Sequence, residues 1–190
     1  MQGQLDTVLS ERGLAQAHAA AAELRDAGIG KIVSSDLVRA RHTAEVVGAD
    51  LGLAVDVDTR LRETHLGDWQ GKTHSEVDEE HEGARAMWRS DASWAPPQGE
   101  SRVEVARRAR EVVEELMASH DGWDGEALLI VSHGGTIAGL TASLLGLGVE
   151  QYPVFKGLGN ANTSRLVALP RIDDPSATQW YLEAWNRGLN

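Results

Sequence analysis

Leu128-Leu129-Ile130-Val131-Ser132-His133-Gly134-Gly135 is a run of four apolar residues broken by a serine, a histidine and two glycines. The apolar four read as a short buried strand, and a helical pattern begins at Thr136. A strand that passes through a glycine turn into a helix leaves backbone N–H groups pointing into a crevice. Those donors, with the positive end of the helix dipole, favour an anion. His133 stands at that spot, where its charge would add to theirs. Taken alone, it reads equally well as a buried histidine bonded to a neighbour. Two other stretches favour the anion site: Ser34-Ser35-Asp36-Leu37-Val38-Arg39-Ala40 and Leu61-Arg62-Glu63-Thr64-His65.

Working outward, residues 29–33 read as a strand with Ile32 and Val33 as its most buried pair. Residues 37–51 read as a helix capped by Ser35 or Asp36, and residues 54–57 as a second strand, left by residues 59–63. An Ala-rich helix over 11–27 precedes them, opened by Ser10 and stopped at Gly28. Residues 1–7 read as loop. The stretch 64–100 is polar, irregular and Trp-bearing. Its Thr73 and Glu76 form a capping box for a helix ending near Arg89, and Pro96-Pro97-Gln98-Gly99 stops the chain direction. Ser101 and Glu104 form a second capping box for a long helix to about Ser119. Residues 163–169 and 179–185 alternate as strands. Strands alternating with helices imply an α/β fold with a largely parallel sheet. Ligands bind such sheets at the carboxyl ends of the strands. Ser34-Ser35, residues 60–63 and Ser132-His133-Gly134 all follow strands, so three polar clusters converge on one edge.

The 190 residues suit a single domain, 1–190, with 64–100 as an insert over the site. A net charge of −11 argues against a nucleic-acid or anionic-membrane surface and leaves room for a small basic pocket. There is no cysteine, hence no disulfide, thiol nucleophile or Cys-ligated metal. No signal peptide or spanning segment is visible, which makes the cytoplasm the default location. Trp69, Trp88 and Trp94 would either stack on a sugar face or pin the irregular insert to the core.

Arg39, in the first turn of its helix, can fork onto two oxygens of a phosphate or carboxylate. Glu63, beside a bound phosphate, would hold its proton through like-charge repulsion and partial desolvation, and could pass it to a departing alkoxide. The alternative for Glu63 is an ion pair with Arg60 or Arg62. His65, Glu63 and Asp68 are close in sequence but lack metal-ligand spacing, so neither a metal nor a cofactor is expected.

Five stretches carry a family resemblance. Asp6-Thr7-Val8-Leu9-Ser10-Glu11-Arg12-Gly13-Leu14-Ala15-Gln16-Ala17 is similar to D-x-x-L-[ST]-x-x-G-x-x-Q-A. Residues 34–44 are similar to S-S-x-L-x-R-A-x-x-T-A. Leu61-Arg62-Glu63 with Gly67-Asp68-Trp69-Gln70-Gly71 is similar to L-x-E-x-x-x-G-x-W-x-G. Gly99-Glu100-Ser101 and Ser132-His133-Gly134-Gly135 complete the set. In this order they resemble the phosphoglycerate-mutase-like branch of the histidine phosphatase superfamily, and residues 60–71 resemble its members that act on sugar-linked phosphoglycerates. The resemblance implies a three-layer α/β sandwich with a mostly parallel mixed sheet. It implies that Arg39 clamps the phosphate and Glu63 donates the proton. His133, the second active-site histidine, would steady the transition state, with Gln2 and the Gly134 N–H also on the substrate. The partner would be a small-molecule phosphate ester, with no nucleic acid or membrane, and the chain is compatible with a homodimer.

One departure matters. The family opens with a strand ending in Arg-His-Gly, whose histidine is the nucleophile, and this sequence contains no such triplet. His18, His42, His65, His74, His81 and His120 all lack that context. The expectation is a domain short of its first central strand by about twenty residues. In complete form it would be a metal-independent phosphatase working through a phosphohistidine; the chain as given would be inactive. A non-catalytic phosphate-ester-binding protein is the alternative. Phosphoglycerate mutase is another, although the span from Trp69 to Pro96 is short for a mutase insert. The sheet should show a gap between Val131 and Leu166, and each buried unpaired group there would cost about 1–3 kcal/mol.

Overall fold

Ile29–Ser34 (β1) is the middle strand of a three-stranded parallel sheet, between Val55–Val57 (β2) and Ala127–Val131 (β3). The computed structural model describes residues 1–119 and 125–188; His120 falls outside them. Successive side chains on a strand face opposite ways, and β1 shows why the fold has three layers. Ile32 packs with Ala21, Ala44 and Val47, whereas Val33 packs with Leu61, Ala109, Val112 and Leu140. The first group belongs to Glu11–Leu24 (α1) and Val38–Leu51 (α2), apart from Ile32 itself. On the other face lie Arg102–Ser119 (α5) and Gly134–Leu144 (α6). These two helices approach closely at Gly139, where a Cβ would lie 3.4 Å from the Ala106 methyl.

Thr163–Pro170 (β4) and Thr178–Arg187 (β5) form a separate antiparallel pair, with Leu166 opposite Leu182 and Ala168 opposite Trp180. Leu166 and Trp180 pack against the Val33 side of the core. β3 and β4 do not pair. The gap expected between Val131 and Leu166 is present, and the mixed sheet is divided in two. A cleft of about 2110 Å³ runs between them and opens at the carboxyl edge of the parallel sheet. Every residue of β3 is consequently only half-buried, despite its apolar sequence.

Three local expectations shift. The first helix ends at Leu24, and Arg25 forks onto Asp50 at the end of α2. Neither Ser35 nor Asp36 is the N-cap of α2. The Val38 N–H is taken by Asp6 Oδ1 at 2.7 Å, while Ser35 Oγ accepts from the Leu37 N–H and Asp36 receives the Arg62 fork. The helix begun by the Thr73 capping box is two, His74–Glu80 (α3) and Ala84–Ser90 (α4), because Gly83 takes φ +75° between them. Both capping boxes are present. Among the described residues no helix is long and apolar enough to cross a membrane.

Candidate active site at the carboxyl edge of the parallel sheet

β1 ends in Ser34 and is followed by Ser35, both fully buried, and the Ser35 N–H continues the ladder to the Val131 carbonyl at 2.9 Å. This brings Ser35 Oγ within 2.9 Å of His133 Nε2, from the turn after β3. His133 is 7% exposed. Burial, then the Arg39 and Arg108 charges, hold its pKa down to about 3 against the pull of Asp36, so the imidazole is neutral at neutral pH.

Arg39 lies in the first turn of α2. Its two terminal nitrogens each donate at 2.8 Å, one to the Leu5 carbonyl and one to the Gly3 carbonyl. Burial lowers its pKa, opposed by Glu63 and Asp6. The guanidinium thus ties the N-terminal loop to the sheet edge while its charge acts on both His133 and Glu63.

Glu63 follows the short 3-10 turn Thr59–Leu61. The ion pairs considered for it go elsewhere: Arg60 binds Asp58 and Glu115, and Arg62 binds Asp36. Glu63 Oε1 accepts from the Thr64 N–H at 2.8 Å, and Oε2 accepts from the Gly135 N–H at 3.2 Å. The carboxylate therefore sits on the N-terminus of α6, where the helix dipole favours negative charge. Glycine at 135 keeps this contact in place, since a Cβ would lie 2.5 Å from Glu63 Oε1 and push the carboxylate aside.

Gln2 is exposed, lines the cleft and donates only a long bond to Thr7 Oγ1 at 3.4 Å. Gly134 opens α6, with Leu158 packed over it. Arg39, Glu63, His133, Gly134 and Gln2 all line the one cleft.

Several residues that hold this arrangement escaped the sequence. Arg108 donates to the carbonyls of Arg60, Arg62 and Glu63 at 2.5, 2.8 and 3.1 Å, and forks onto Glu100. Burial alone would push Glu100 up, but the Arg108 and His65 N–H bonds prevail and hold its pKa below the ordinary value. The available signal was a charged residue on the buried stripe of α5, beside Val105, Ala109 and Val112; such a charge calls for a partner. Gln4 donates to the Glu63 carbonyl at 3.0 Å. His65 is structural: its Nδ1 lies 3.1 Å from the Gln98 carbonyl and accepts from the Gly67 N–H. Gly67 has φ +50°, and a Cβ there would lie 2.0 Å from the Pro97 carbonyl. Trp69 is fully buried, edge-on to Trp88 at 6.1 Å and tilted to Trp94 at 5.4 Å. It pins the insert, while Trp88 also lines the cleft.

Chemically, this edge offers a fixed cation, a neutral imidazole and a carboxylate on a helix N-terminus, all facing one cleft. Such a group can hold a tetrahedral anion and move a proton beside it.

Residues 1–187 match the histidine phosphatase superfamily (branch 1). The sequence is 52% identical over 193 residues to the glucosyl-3-phosphoglycerate phosphatase of Mycobacterium tuberculosis, covering 98% of this chain and 86% of that protein. It is 33% identical over 186 residues to a probable phosphoglycerate mutase of Erwinia tasmaniensis, covering 97% and 81%. The fold superimposes on a mycobacterial glucosyl-3-phosphoglycerate phosphatase in complex with inorganic phosphate, with a TM-score of 0.95 and 50% identity over 100% of this chain and 92% of that one.

Proposed function

The chain belongs to the histidine phosphatase superfamily, and we propose from that premise that it is the clamp-and-acid body of a metal-independent phosphatase for a phosphoglycerate, free or sugar-linked. One observation carries the reading. The Glu63 carboxylate rests on the Gly135 N–H beside the desolvated Arg39 guanidinium and the neutral His133 imidazole, on a single cleft. The relatives named for glucosyl-3-phosphoglycerate support the substrate class.

In a form that carries Arg-His-Gly, an imidazole nitrogen attacks the phosphorus and the ester P–O bond breaks. Glu63 gives its proton to the departing alkoxide. Arg39 and His133 stabilise the equatorial oxygens, and the phosphate's charge offsets the Arg39 repulsion that adds to burial in keeping His133 neutral. The Glu63 carboxylate then takes a proton from water, the water oxygen attacks phosphorus, the N–P bond breaks and inorganic phosphate leaves.

The attacking imidazole is the part that the sequence, with no Arg-His-Gly, does not offer. An added strand ending in Arg-His-Gly would have room in the cleft between β3 and β4, whose facing edges are unpaired with each other. The test compares the 190-residue chain with one extended upstream by a strand ending in Arg-His-Gly. The extended form should hydrolyse a phosphate monoester without added metal and accumulate an acid-labile phosphohistidine. The 190-residue chain should bind phosphate without turnover. Robust turnover by the 190-residue chain, lost in His133→Ala, would make His133 the nucleophile and overturn these roles. Phosphate binding with no turnover by either form would favour a non-catalytic binding protein.

A further inference from the structure

Arg102 opens α5 immediately after the Ser101 cap. Its guanidinium carbon lies 5.2 Å from the centroid of the Trp88 ring. Among the described residues it makes no hydrogen bond or ion pair. Three arginines near it are engaged, Arg62 by Asp36, Arg108 by Glu100 and Arg39 by two carbonyls, whereas Arg12, Arg89 and Lys156 also line the cleft. Burial is the one influence on the proton affinity of Arg102, lowering it, with no carboxylate opposing. A desolvated cation without an anion is unfavourable until one arrives.

Its position is set by helix packing. The Arg102 carbonyl lies 3.3 Å from where a Cβ would project at Gly139. Gly139 is four residues along α6 from Gly135, which holds Glu63, a rise of roughly 6 Å. Arg102 and Trp88 line the same cleft as Arg39, Glu63 and His133. A guanidinium laid on an indole keeps its fork of donors free at the rim, and that fork matches a carboxylate.

We propose that Arg102, braced on Trp88, is a specificity-determining residue that binds a carboxylate carried by the substrate about one helical turn from its phosphate ester. The inference rests on the phosphatase reading above and adds the group that selects a phosphoglycerate over a simple alkyl phosphate.

The test is equilibrium binding of three probes to the 190-residue chain: inorganic phosphate, glycerol 3-phosphate, and 3-phosphoglycerate, which differs from the second by its carboxylate. The wild-type chain should prefer 3-phosphoglycerate to glycerol 3-phosphate by roughly tenfold or more. Arg102→Gln should reduce that preference to about twofold and leave inorganic phosphate binding unchanged. Arg102→Lys, which keeps the charge and loses the fork, should fall between. Arg39→Gln should weaken all three probes. If no probe binds, the phosphatase reading fails and this inference with it. If phosphate binds but the two esters bind equally, or Arg102→Gln keeps the full preference, this inference alone is overturned. The wild-type comparison needs no variant, so a variant that folds poorly leaves it decisive.

Discussion

Glu63 Oε2 and the backbone N–H of Gly135 meet at 3.2 Å, joining the loop after β2 to the N-terminus of α6 across 72 residues of sequence. The contact exists only because residue 135 has no side chain. An alanine Cβ would stand 2.5 Å from Oε1 of the same carboxylate. Gly135→Ala should therefore move the acid with little harm to the fold, since the clashing atoms end a flexible side chain. Alanine in a helix gains about 0.5–1 kcal/mol over glycine. The expected outcome is a melting temperature within a few degrees of wild type. In the form extended with Arg-His-Gly, hydrolysis of an alkyl phosphate should drop about 10²-fold. Unchanged turnover would show that the carboxylate position is unimportant.

Glu63→Gln separates proton donation from phosphate binding. In the extended form it should slow release of an alkoxide by about 10²–10⁴-fold and release of nitrophenolate far less, because only the poor leaving group needs the proton. Equal loss on both substrates would remove Glu63 from the role of acid.

His133 makes stability depend on pH. Its folded pKa is about 3 against an ordinary 6.5. Between those values the unfolded chain takes up a proton that the folded chain refuses, so stability falls as pH drops through this window and is level above it. By pH 5 the loss should reach about 2 kcal/mol. His133→Asn should remove that component. Urea unfolding of both proteins at pH 7 and pH 5 would show it as a smaller drop in the variant, and parallel drops would contradict the burial of a neutral imidazole.

Arg108 holds three carbonyls of residues 60–63 and both oxygens of Glu100, with its side chain 17% exposed. Arg108→Met keeps much of the packing and leaves those acceptors unpaired. The expected cost is roughly 2–3 kcal/mol, discounted for partial exposure. Arg108→Lys should recover little, because an ammonium cannot reproduce the planar fork. Denaturant midpoints measure both.

The elements were legible because their signals are local. Thr73 and Ser101 bond to residues three positions on, so their capping boxes could be read directly. Strand alternation placed Arg39, Glu63 and His133 at strand ends, and parallel pairing of those strands puts such ends on one edge. What tertiary structure alone decided is which groups meet once the chain is compact. Asp6 caps α2 in place of Ser35 or Asp36, and the carbonyls of Gly3 and Leu5 occupy the Arg39 fork. Arg108 secures the Glu63 loop, and Arg102 lies on Trp88 with no carboxylate partner among the described residues. The division into two sheets belongs here too, since strand pairing depends on which edges face each other. Capping and periodicity act over about four residues, where chain geometry limits the choices. Arg39 reaches back 34 and 36 residues to its partners, and Glu63 reaches 72 to Gly135. Across such separations residue type names the chemistry a side chain can do, and packing selects the partner with which it does it.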